Sequence, residues 1–228
     1  MCVAGKCVAD ANFADVVLLM HFDGANGATS FVDVIGHTVT PVGAAAISTT
    51  TSVFGGASGY FVRTSDSYLT VPNDPDWNLS SGDSTIEMWI KPSDQVPEGL
   101  LTLSPTTNDE EPDLILSNNN LLYMQDNGGQ NNLATSTPVT AGSWQHIAVV
   151  RSGTSTLLFI NGVLSGSGTV NAFKNTTNLL YIGAVNTATN GTTYLYSGYM
   201  DELRITKGFA RYTTNFTVPT TPFPNAGP

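Results

Sequence analysis

The chain has 228 residues, of which 11% are charged, and its 18 acidic residues against 8 basic ones give a formal net charge of −10. This balance argues against binding to nucleic-acid phosphates, and no apolar run reaches the roughly 18 residues that cross a bilayer. The length is sufficient for one large all-β domain, and the abundance of glycine, serine, threonine and asparagine is typical of a turn-dense β protein.

The first fifteen residues, 1–15, are small and polar and predict an arm ahead of the folded domain. They lack a basic segment followed by an apolar stretch and a cleavage motif, so we expect no secretory signal peptide. Cys2 and Cys7 are the only cysteines, and they can close a small disulfide loop if the backbone turns back through Gly5. Free thiols and a Cys-x4-Cys metal site are the alternatives, although the metal site lacks further His or Cys ligands.

From Val16 onward, short stretches of alternating apolar and polar residues predict strands at the spacing of a β-sandwich. Ile86, Met88 and Ile90, for example, are separated by single residues of another character, as in a half-buried strand. Asn161-Gly162 predicts a two-residue hairpin turn. The predicted strands are 16–22, 38–42, 57–62, 68–71, 84–91, 99–104, 112–117, 120–125, 145–151, 156–160, 178–183 and 198–206.

The last predicted strand alternates Met200, Leu203 and Ile205 with polar residues around one irregular step. The domain is expected to span 16–212 and to contain no helix beyond a short turn at its end. Residues 213–228 are rich in threonine and proline and cannot form an interior strand, so they predict a tail. Phe216 and Phe223 within it are expected to dock on the sandwich or on a neighbouring molecule.

Several segments together carry a resemblance to a known superfamily. They are 17–24, 54–61, 66–72, 82–92, 144–151, 157–162 and 198–208. Their order and spacing resemble the concanavalin A-like lectin/glucanase superfamily, and within it the laminin-G-like jelly-roll domain of phage virion proteins and secreted bacterial proteins. The resemblance implies an all-β antiparallel β-sandwich, a jelly roll. It implies no single function, because this fold hosts lectins, hydrolases and structural modules.

Catalysis is not expected from the residues present. Glycosidases of this kind project a pair of carboxylates from one strand, at positions two or four residues apart. Glu87 stands alone on its strand, and the acidic residues of 109–113 lie in a proline-containing loop. His21, His37 and His146 accompany no Gly-x-Ser-x-Gly elbow or reactive cysteine motif. We therefore predict that the protein is not an enzyme.

The resemblance also implies a calcium ion that clamps the N- and C-terminal strands. Asp23 and Asp201 are the positions that match its ligands, and Ca²⁺ takes oxygen ligands of this kind. The alternative is that Asp23 caps a turn and that Asp201 pairs with an arginine.

A sugar site would need aromatic platforms beside amides or carboxylates. The aromatic candidates are Trp77, Tyr123, Tyr194 and Tyr196. For Trp77 the alternative is packing beneath the sandwich, and Trp89 and Trp144 are expected to fill the core.

Residues 206–212 and 215–219, together with the Pro-Phe-Pro ending, look most like domains of tailed-phage structural proteins. This resemblance implies a virion protein assembled in the host cytoplasm, most specifically a capsid decoration or cement protein. Its expected partners are the major capsid protein, other virion proteins and further copies of the chain. The alternative function is a carbohydrate-binding tail or fibre adhesin that recognises host surface glycans.

Overall fold

The computed structural model describes residues 2–3, 6–7, 9–103, 113–126, 131–169, 178–187 and 192–228. Short 3₁₀ helices lie at Phe13–Asp15, Arg63–Ser65 and Pro75–Trp77. No helix in these ranges is long and apolar enough to span a membrane. The strands are β1 (Cys2–Val3), β2 (Lys6–Cys7), β3 (Val16–Met20), β4 (Thr40–Val42), β5 (Ala46–Ser48), β6 (Ser58–Phe61), β7 (Tyr68–Val71), β8 (Ser84–Pro92), β9 (Glu98–Thr102), β10 (Asp113–Leu116), β11 (Leu121–Asp126), β12 (Asn131–Pro138), β13 (Gln145–Ser152), β14 (Ser155–Ile160), β15 (Val163–Gly168), β16 (Leu180–Ile182), β17 (Ala184–Thr187), β18 (Thr192–Leu195) and β19 (Gly198–Lys207).

Two antiparallel sheets pack face to face. The first has seven strands in the order β12-β11-β10-β9-β16-β7-β4, and the second has eight in the order β15-β14-β13-β8-β19-β6-β5, with β3 also pairing with β19. Two small hairpins, β1-β2 and β17-β18, complete the described strands. The predicted all-β antiparallel sandwich of the jelly-roll type is confirmed.

The core lies between the sheets because each strand alternates its apolar side chains toward the opposite sheet. Leu69 and Leu114 from the seven-stranded sheet join Met88, Ile147 and Leu203 from the eight-stranded sheet in one buried cluster. All five side chains are at most 1% exposed, so truncating the leucines to alanine is expected to cost about 2–5 kcal/mol each.

Strand β19 carries the irregular step that its sequence predicts. The register with β8 shifts between Asp201 and Arg204, and Glu202 between them adopts a left-handed backbone with φ of 53°. This β-bulge inserts one extra residue, so Met200 and Leu203 both reach the core. Asp201 and Arg204 face outward as a result, although both are buried.

The C-terminal residues fold back over the outer face of the eight-stranded sheet. Phe216 stacks on Tyr212 with 3.5 Å between ring centroids, and both pack on the cluster around Phe159. The Phe216 backbone N–H donates to the Gly162 carbonyl at 2.9 Å. The Phe216 carbonyl lies so close to this turn glycine that a side chain at position 162 would collide with it. Phe223 is buried against the β3 region. Phe216 and Phe223 thus dock on the sandwich of their own chain rather than on a neighbouring molecule.

Candidate binding face and cation site

The outer face of the eight-stranded sheet collects several of the polar and aromatic side chains that sequence analysis singles out. Glu87, Trp89 and Lys91 alternate along β8 and therefore share this face. Glu87 lies opposite Arg204, Trp89 opposite Asp201, and Lys91 opposite Tyr199. These cross-strand pairs define three zones: one under the C-terminal tail, one under the loop 51–54, and one that stays half open.

The zone under the tail is a buried network of charges. Glu87 Oε1 accepts hydrogen bonds from Arg204 Nε at 3.0 Å and Nη2 at 2.6 Å, and Oε2 accepts one from the Tyr212 hydroxyl at 2.9 Å. Asp10 lies 3.0 Å from Arg204 Nη1 and 2.8 Å from Arg211 Nη2. Burial opposes the charge on Glu87, but Arg204 and His146 outweigh it and lower the pKa of Glu87 to about 2. Glu87 is thus a structural anion.

Asp10 also ties the N-terminal region to this network. Its backbone N–H donates to the Ala226 carbonyl at 3.0 Å, so Asp10 lies beside the C-terminal segment. Asp10 belongs to the predicted arm 1–15, and its contacts make residues around it part of the folded body.

The zone under the loop contains an aspartate with an unused ligand atom. Asp201 is fully buried, and its Oδ2 accepts hydrogen bonds from the backbone N–H groups of Val53 at 2.7 Å and Phe54 at 3.2 Å. Its Oδ1 is buried and has no hydrogen-bond partner. Burial, aided by the carboxylates of Glu202 and Asp23, raises the pKa of Asp201 to about 7. A buried, unsatisfied carboxylate oxygen is costly unless a proton or a cation meets it.

Asp23 reaches the same loop from the irregular segment that follows β3. The Asp23 carboxylate packs directly against Gly55, whose φ is +62°, and a side chain at Gly55 would collide with it. Its charge acts on Asp201. The two positions named from the resemblance therefore meet at one loop, and the donor set, two carboxylates with one orphaned oxygen, fits an oxygen-seeking cation such as Ca²⁺.

The half-open zone contains three aromatic rings and one lysine on adjacent strands. We call these four residues the aromatic row: Tyr60, Tyr199, Trp144 and Lys91. Tyr60 and Tyr199 are stacked with 4.8 Å between ring centroids, and Trp144 lies 6.4 Å from Tyr199. Lys91 Nζ sits 5.9 Å from the centre of the Tyr199 ring. All four side chains are half-buried, so each keeps part of its surface in solvent.

The loop 51–54 joins the aromatic row to the aspartate zone. The Thr51 hydroxyl accepts a hydrogen bond from Trp144 Nε1 at 3.0 Å and lies 3.5 Å from Lys91 Nζ. Two residues further on, the same loop donates to Asp201. A change at Asp201 that moves the loop would therefore also move Trp144 and Lys91.

A family model described as the concanavalin A-like lectin/glucanases superfamily, of the laminin G type, matches residues 63–209. The chain belongs to this superfamily. No curated protein sequence matches the chain.

Solved structures with this superfamily fold resemble the chain at low sequence identity. Domain 4 of the extracellular GH43 arabinanase AbnA from Geobacillus stearothermophilus, in complex with arabinotriose, is 19% identical with a TM-score of 0.61, over 86% of this chain and 95% of that one. The binding domain of Paraclostridial Mosquitocidal Protein 1 is 14% identical with a TM-score of 0.62, over 91% and 50%. The binding domain of botulinum neurotoxin DC, in complex with SialylT, is 11% identical with a TM-score of 0.60, over 86% and 48%. The chain thus spans about half the length of these toxin domains.

The structure corrects two of the four predicted sugar platforms. Trp77 is 2% exposed and Tyr196 is 0% exposed, and both belong to the core cluster, so neither can stack on a sugar. Trp77 instead follows its stated alternative, packing beneath the sandwich, where its Nε1 donates to the Pro72 carbonyl at 2.8 Å. Tyr123 on β11 and Tyr194 on β18 are half-buried, lie away from the aromatic row, and stay predictions.

Trp89 and Trp144 were expected in the core, and this expectation is wrong. Trp89 alternates with the core residues Met88 and Ile90, so it faces outward against Phe54 and His146. Trp144 precedes β13 and lies in the aromatic row. Strand alternation contains the signal that places Trp89, Lys91 and Tyr199 on one outer face, but pairing across strands was needed to join them.

Some of the remaining predicted site residues lie outside the ranges that the structure describes. The backbone of β1 and β2 places Cys2 opposite Cys7, but their side chains fall outside the described part of the chain, so the disulfide stays a prediction. The acidic residues 109–111 are likewise outside the described ranges. His146 is fully buried between Trp89 and Phe216, as expected for a packing residue.

Proposed function

We propose that the protein is a non-enzymatic carbohydrate-binding module and that the aromatic row is its sugar-contacting surface. The observation that carries this proposal is the set of three partly exposed rings on one sheet face, with Lys91 and the Thr51 hydroxyl beside them. Aromatic faces pack against the C–H faces of sugars, while hydroxyl and ammonium groups bond their hydroxyls. The arabinotriose complex of the arabinanase domain, which the chain covers almost completely, supports a sugar ligand for this fold.

The charge of the chain favours neutral over anionic glycans. Its net charge is −10, and Lys91 is the one cation in the aromatic row. An acidic protein repels sialylated or sulfated chains through its overall field. We therefore infer a neutral oligosaccharide as the ligand class, and the proposal includes no hydrolysis.

Calorimetry of the full chain against a panel of neutral and sialylated oligosaccharides tests this proposal. We expect Tyr199→Ala and Trp144→Ala to weaken the affinity for the best ligand at least tenfold. The matched control is Tyr181→Ala: Tyr181 is also half-buried beside a second tyrosine, Tyr68, with 6.0 Å between rings, but on the other sheet. It should leave the affinity unchanged.

Two results would contradict the proposal in different ways. Loss of binding in Tyr123→Ala or Tyr194→Ala, with Tyr199→Ala unaffected, would keep the sugar-binding function and move its site. Binding of no oligosaccharide in the panel by the unmodified chain would remove the function itself. Release of reducing ends from any panel member would contradict its non-enzymatic character.

We also propose that Ca²⁺ binds between Asp201 and Asp23. Asp201 Oδ1 supplies a buried ligand without another partner, and Asp23 supplies the second carboxylate at the same loop. When bound, the ion neutralises both carboxylates and fixes the loop 51–54. Because Thr51 of this loop contacts Trp144 and Lys91, calcium is expected to organise the aromatic row as well.

Thermal melting with Ca²⁺ or with a chelator tests the calcium site. Ca²⁺ should raise the Tm of the unmodified chain and of Asp66→Asn, which removes an exposed carboxylate elsewhere. It should not raise the Tm of Asp201→Asn, whose side-chain oxygen can still accept from Val53 and Phe54. Equal melting with Ca²⁺ and chelator in the unmodified chain would remove the calcium proposal.

A structural role in a virion, as a capsid decoration protein, is the second function that we propose. The observation that favours a protein partner is the pair Val163 and Leu164 on the end strand β15, exposed by 56% and 38%. Exposed apolar residues on an end strand are typical of contacts with other chains. The Phe216 and Phe223 rings are already used within the chain, so the tail offers less to a partner than its sequence predicts.

Copy number per particle separates the two functions. A decoration protein is abundant on the particle and binds shells that lack it, whereas an adhesin is sparse. Removal of residues 1–8 is the appropriate truncation for the shell-binding assay, because Asp10 belongs to the buried charge network. Shell binding that survives Val163→Lys and this truncation together would mean that neither β15 nor residues 1–8 form the contact, whereas no shell binding by the unmodified chain would argue against the decoration role.

A further inference from the structure

A second group of metal-ligating side chains lies away from the aromatic row and from Asp201. His37, Asp74 and Asp76 each offer one ligand atom, and these atoms lie within 4.8 Å of one another. His37 comes from the loop after β3, Asp74 is the N-cap of the 3₁₀ helix Pro75–Trp77, and Asp76 lies within this helix. The function proposed above uses none of these residues.

The helix that carries the aspartates is anchored in the core. Trp77 is buried in the main hydrophobic cluster, and the His37 ring packs against its indole with 4.7 Å between centroids. Asp74 caps the helix, because its Oδ1 accepts a hydrogen bond from the Asp76 backbone N–H at 3.0 Å. This bond leaves Asp74 Oδ2 facing His37. Packing thus holds the His37 ring and capping holds the Asp74 side chain, while Asp76 lies on the same anchored helix.

Asp33 fixes the orientation of the His37 ring. Its carboxylate is buried and accepts hydrogen bonds from the backbone N–H groups of Leu19, Ile35, Gly36 and His37, at 2.8, 3.2, 3.1 and 3.0 Å. Asp33 Oδ2 also lies 2.7 Å from His37 Nδ1. A carboxylate surrounded by donors is an acceptor only, so Nδ1 carries the proton. In neutral His37 the lone pair is therefore on Nε2, which is the arrangement found behind metal-ligating histidines.

His37 Nε2 points at two carboxylates without bonding either. It lies 3.9 Å from Asp74 Oδ2 and 3.9 Å from Asp76 Oδ2, which is too long for a hydrogen bond. Zn–N and Zn–O bonds of about 2.0–2.2 Å place two ligand atoms of one tetrahedral ion about 3.4 Å apart, so each of these separations has to close by only about 0.5 Å. A single ion between these atoms can therefore reach all three with small side-chain movements. The neighbouring cation, Lys207, donates to the Pro75 carbonyl at 2.8 Å instead.

We propose that His37 Nε2, Asp74 and Asp76 bind one divalent transition-metal ion of the zinc class, with Asp33 as the positioning residue. One imidazole and two carboxylates suit Zn²⁺, and the imidazole disfavours Ca²⁺, which prefers an all-oxygen shell. Asp74 and Asp76 side chains are 39% exposed, so the ion has access from solvent and keeps at least one position for water or an outside ligand. The site is separate from the calcium proposal and independent of sugar binding.

Titration of the chelator-treated full chain with ZnCl₂, followed by calorimetry and by melting, tests the site. We expect one Zn²⁺ per chain and a Tm rise of about 5 °C or more at a hundredfold excess over Kd. Asp76→Asn and His37→Gln should weaken Zn²⁺ binding at least tenfold, and Asp33→Asn about 10- to 100-fold. Asp66→Asn, which removes an exposed carboxylate elsewhere, should bind like the unmodified chain.

Asp76→Asn keeps the test decisive if His37→Gln fails to fold, because Asp76 contributes no core packing. Co²⁺ in place of Zn²⁺ should give a visible absorption spectrum that Asp76→Asn changes. The proposal is overturned if the unmodified chain binds no Zn²⁺ up to 1 mM. It is equally overturned if Asp76→Asn and His37→Gln both bind with unchanged affinity, or if Ca²⁺ competes at equal concentration.

Discussion

Replacing Glu87 with glutamine tests whether the buried charge network holds the C-terminal segment on the sandwich. The substitution keeps the shape of the side chain and removes its charge. In the unmodified chain the carboxylate accepts two hydrogen bonds from Arg204 and one from Tyr212. Glutamine can accept at one atom only, so Arg204 keeps Asp10 as its single carboxylate partner.

The size of the effect follows from the pKa of Glu87, which is lowered from 4.5 to about 2. A lowered pKa means that the ionised form is stabilised by folding. This contribution is fully present above pH 4.5 and is lost as the pH falls toward 2. A fall of the Glu87 pKa from 4.5 to about 2 corresponds to about 3 kcal/mol at pH 7. Removing one partner of a buried ion pair typically costs about 3–5 kcal/mol, which agrees.

Urea unfolding at pH 7 and pH 2.5 measures this effect. Glu87→Gln should lower the free energy of unfolding by about 3 kcal/mol at pH 7 and by less than about 1 kcal/mol at pH 2.5. Asp66→Asn, an exposed control, should stay within about 0.5 kcal/mol of the unmodified chain at both pH values. An equal loss at both pH values would mean that packing rather than charge is responsible, and no loss at pH 7 would refute the reasoning.

Three further predictions concern other parts of the fold. Phe216→Ala removes a half-buried ring stacked on Tyr212 and should cost about 1–3 kcal/mol in urea unfolding, whereas a loss below about 0.5 kcal/mol would mean that the tail is not docked in solution. Gly55→Ala should displace the Asp23 carboxylate and abolish the Tm rise caused by Ca²⁺; an unchanged rise would contradict the Asp23 role. Burial raises the pKa of Asp113 to about 7, so the contribution of Asp113 to the stability falls between pH 4 and 7. Asp113→Asn should therefore be more stable than the unmodified chain at pH 8, by at most about 4 kcal/mol, and a similar difference at pH 3.5 would contradict this reasoning.

The sequence predicts most of the sandwich because strand alternation is a local property. Each predicted strand has a counterpart within a few residues, and the irregular step near Glu202 is found as a bulge. The sequence does not predict several other strands, among them β5, β12, β17 and β18. These strands are short or rich in threonine, asparagine and alanine. Their side chains carry little apolar alternation, so only pairing with neighbouring strands identifies them.

The candidate sites were less predictable, because side chains from distant positions form them. Trp77 and Trp144 both stand beside turn residues in the sequence, yet one is buried in the core and the other lies on the surface. Their burial differs because the Trp77 ring lies between the two sheets, whereas the Trp144 ring lies beside Tyr199 on the outer face of one sheet. His37 carries no metal signature by itself, since Asp74 and Asp76 follow it by nearly forty residues.

By itself, the sequence determined the all-β class, the strand order that resembles the superfamily, and the acidic, amide-rich surface. These properties depend on composition and on alternation within single strands. Only the tertiary structure decided which aromatic rings stay accessible, that the tail lies on its own sandwich, and that Asp201 keeps an unpaired oxygen. Such properties depend on burial and on contacts between residues that are far apart in the chain, and no local pattern encodes them.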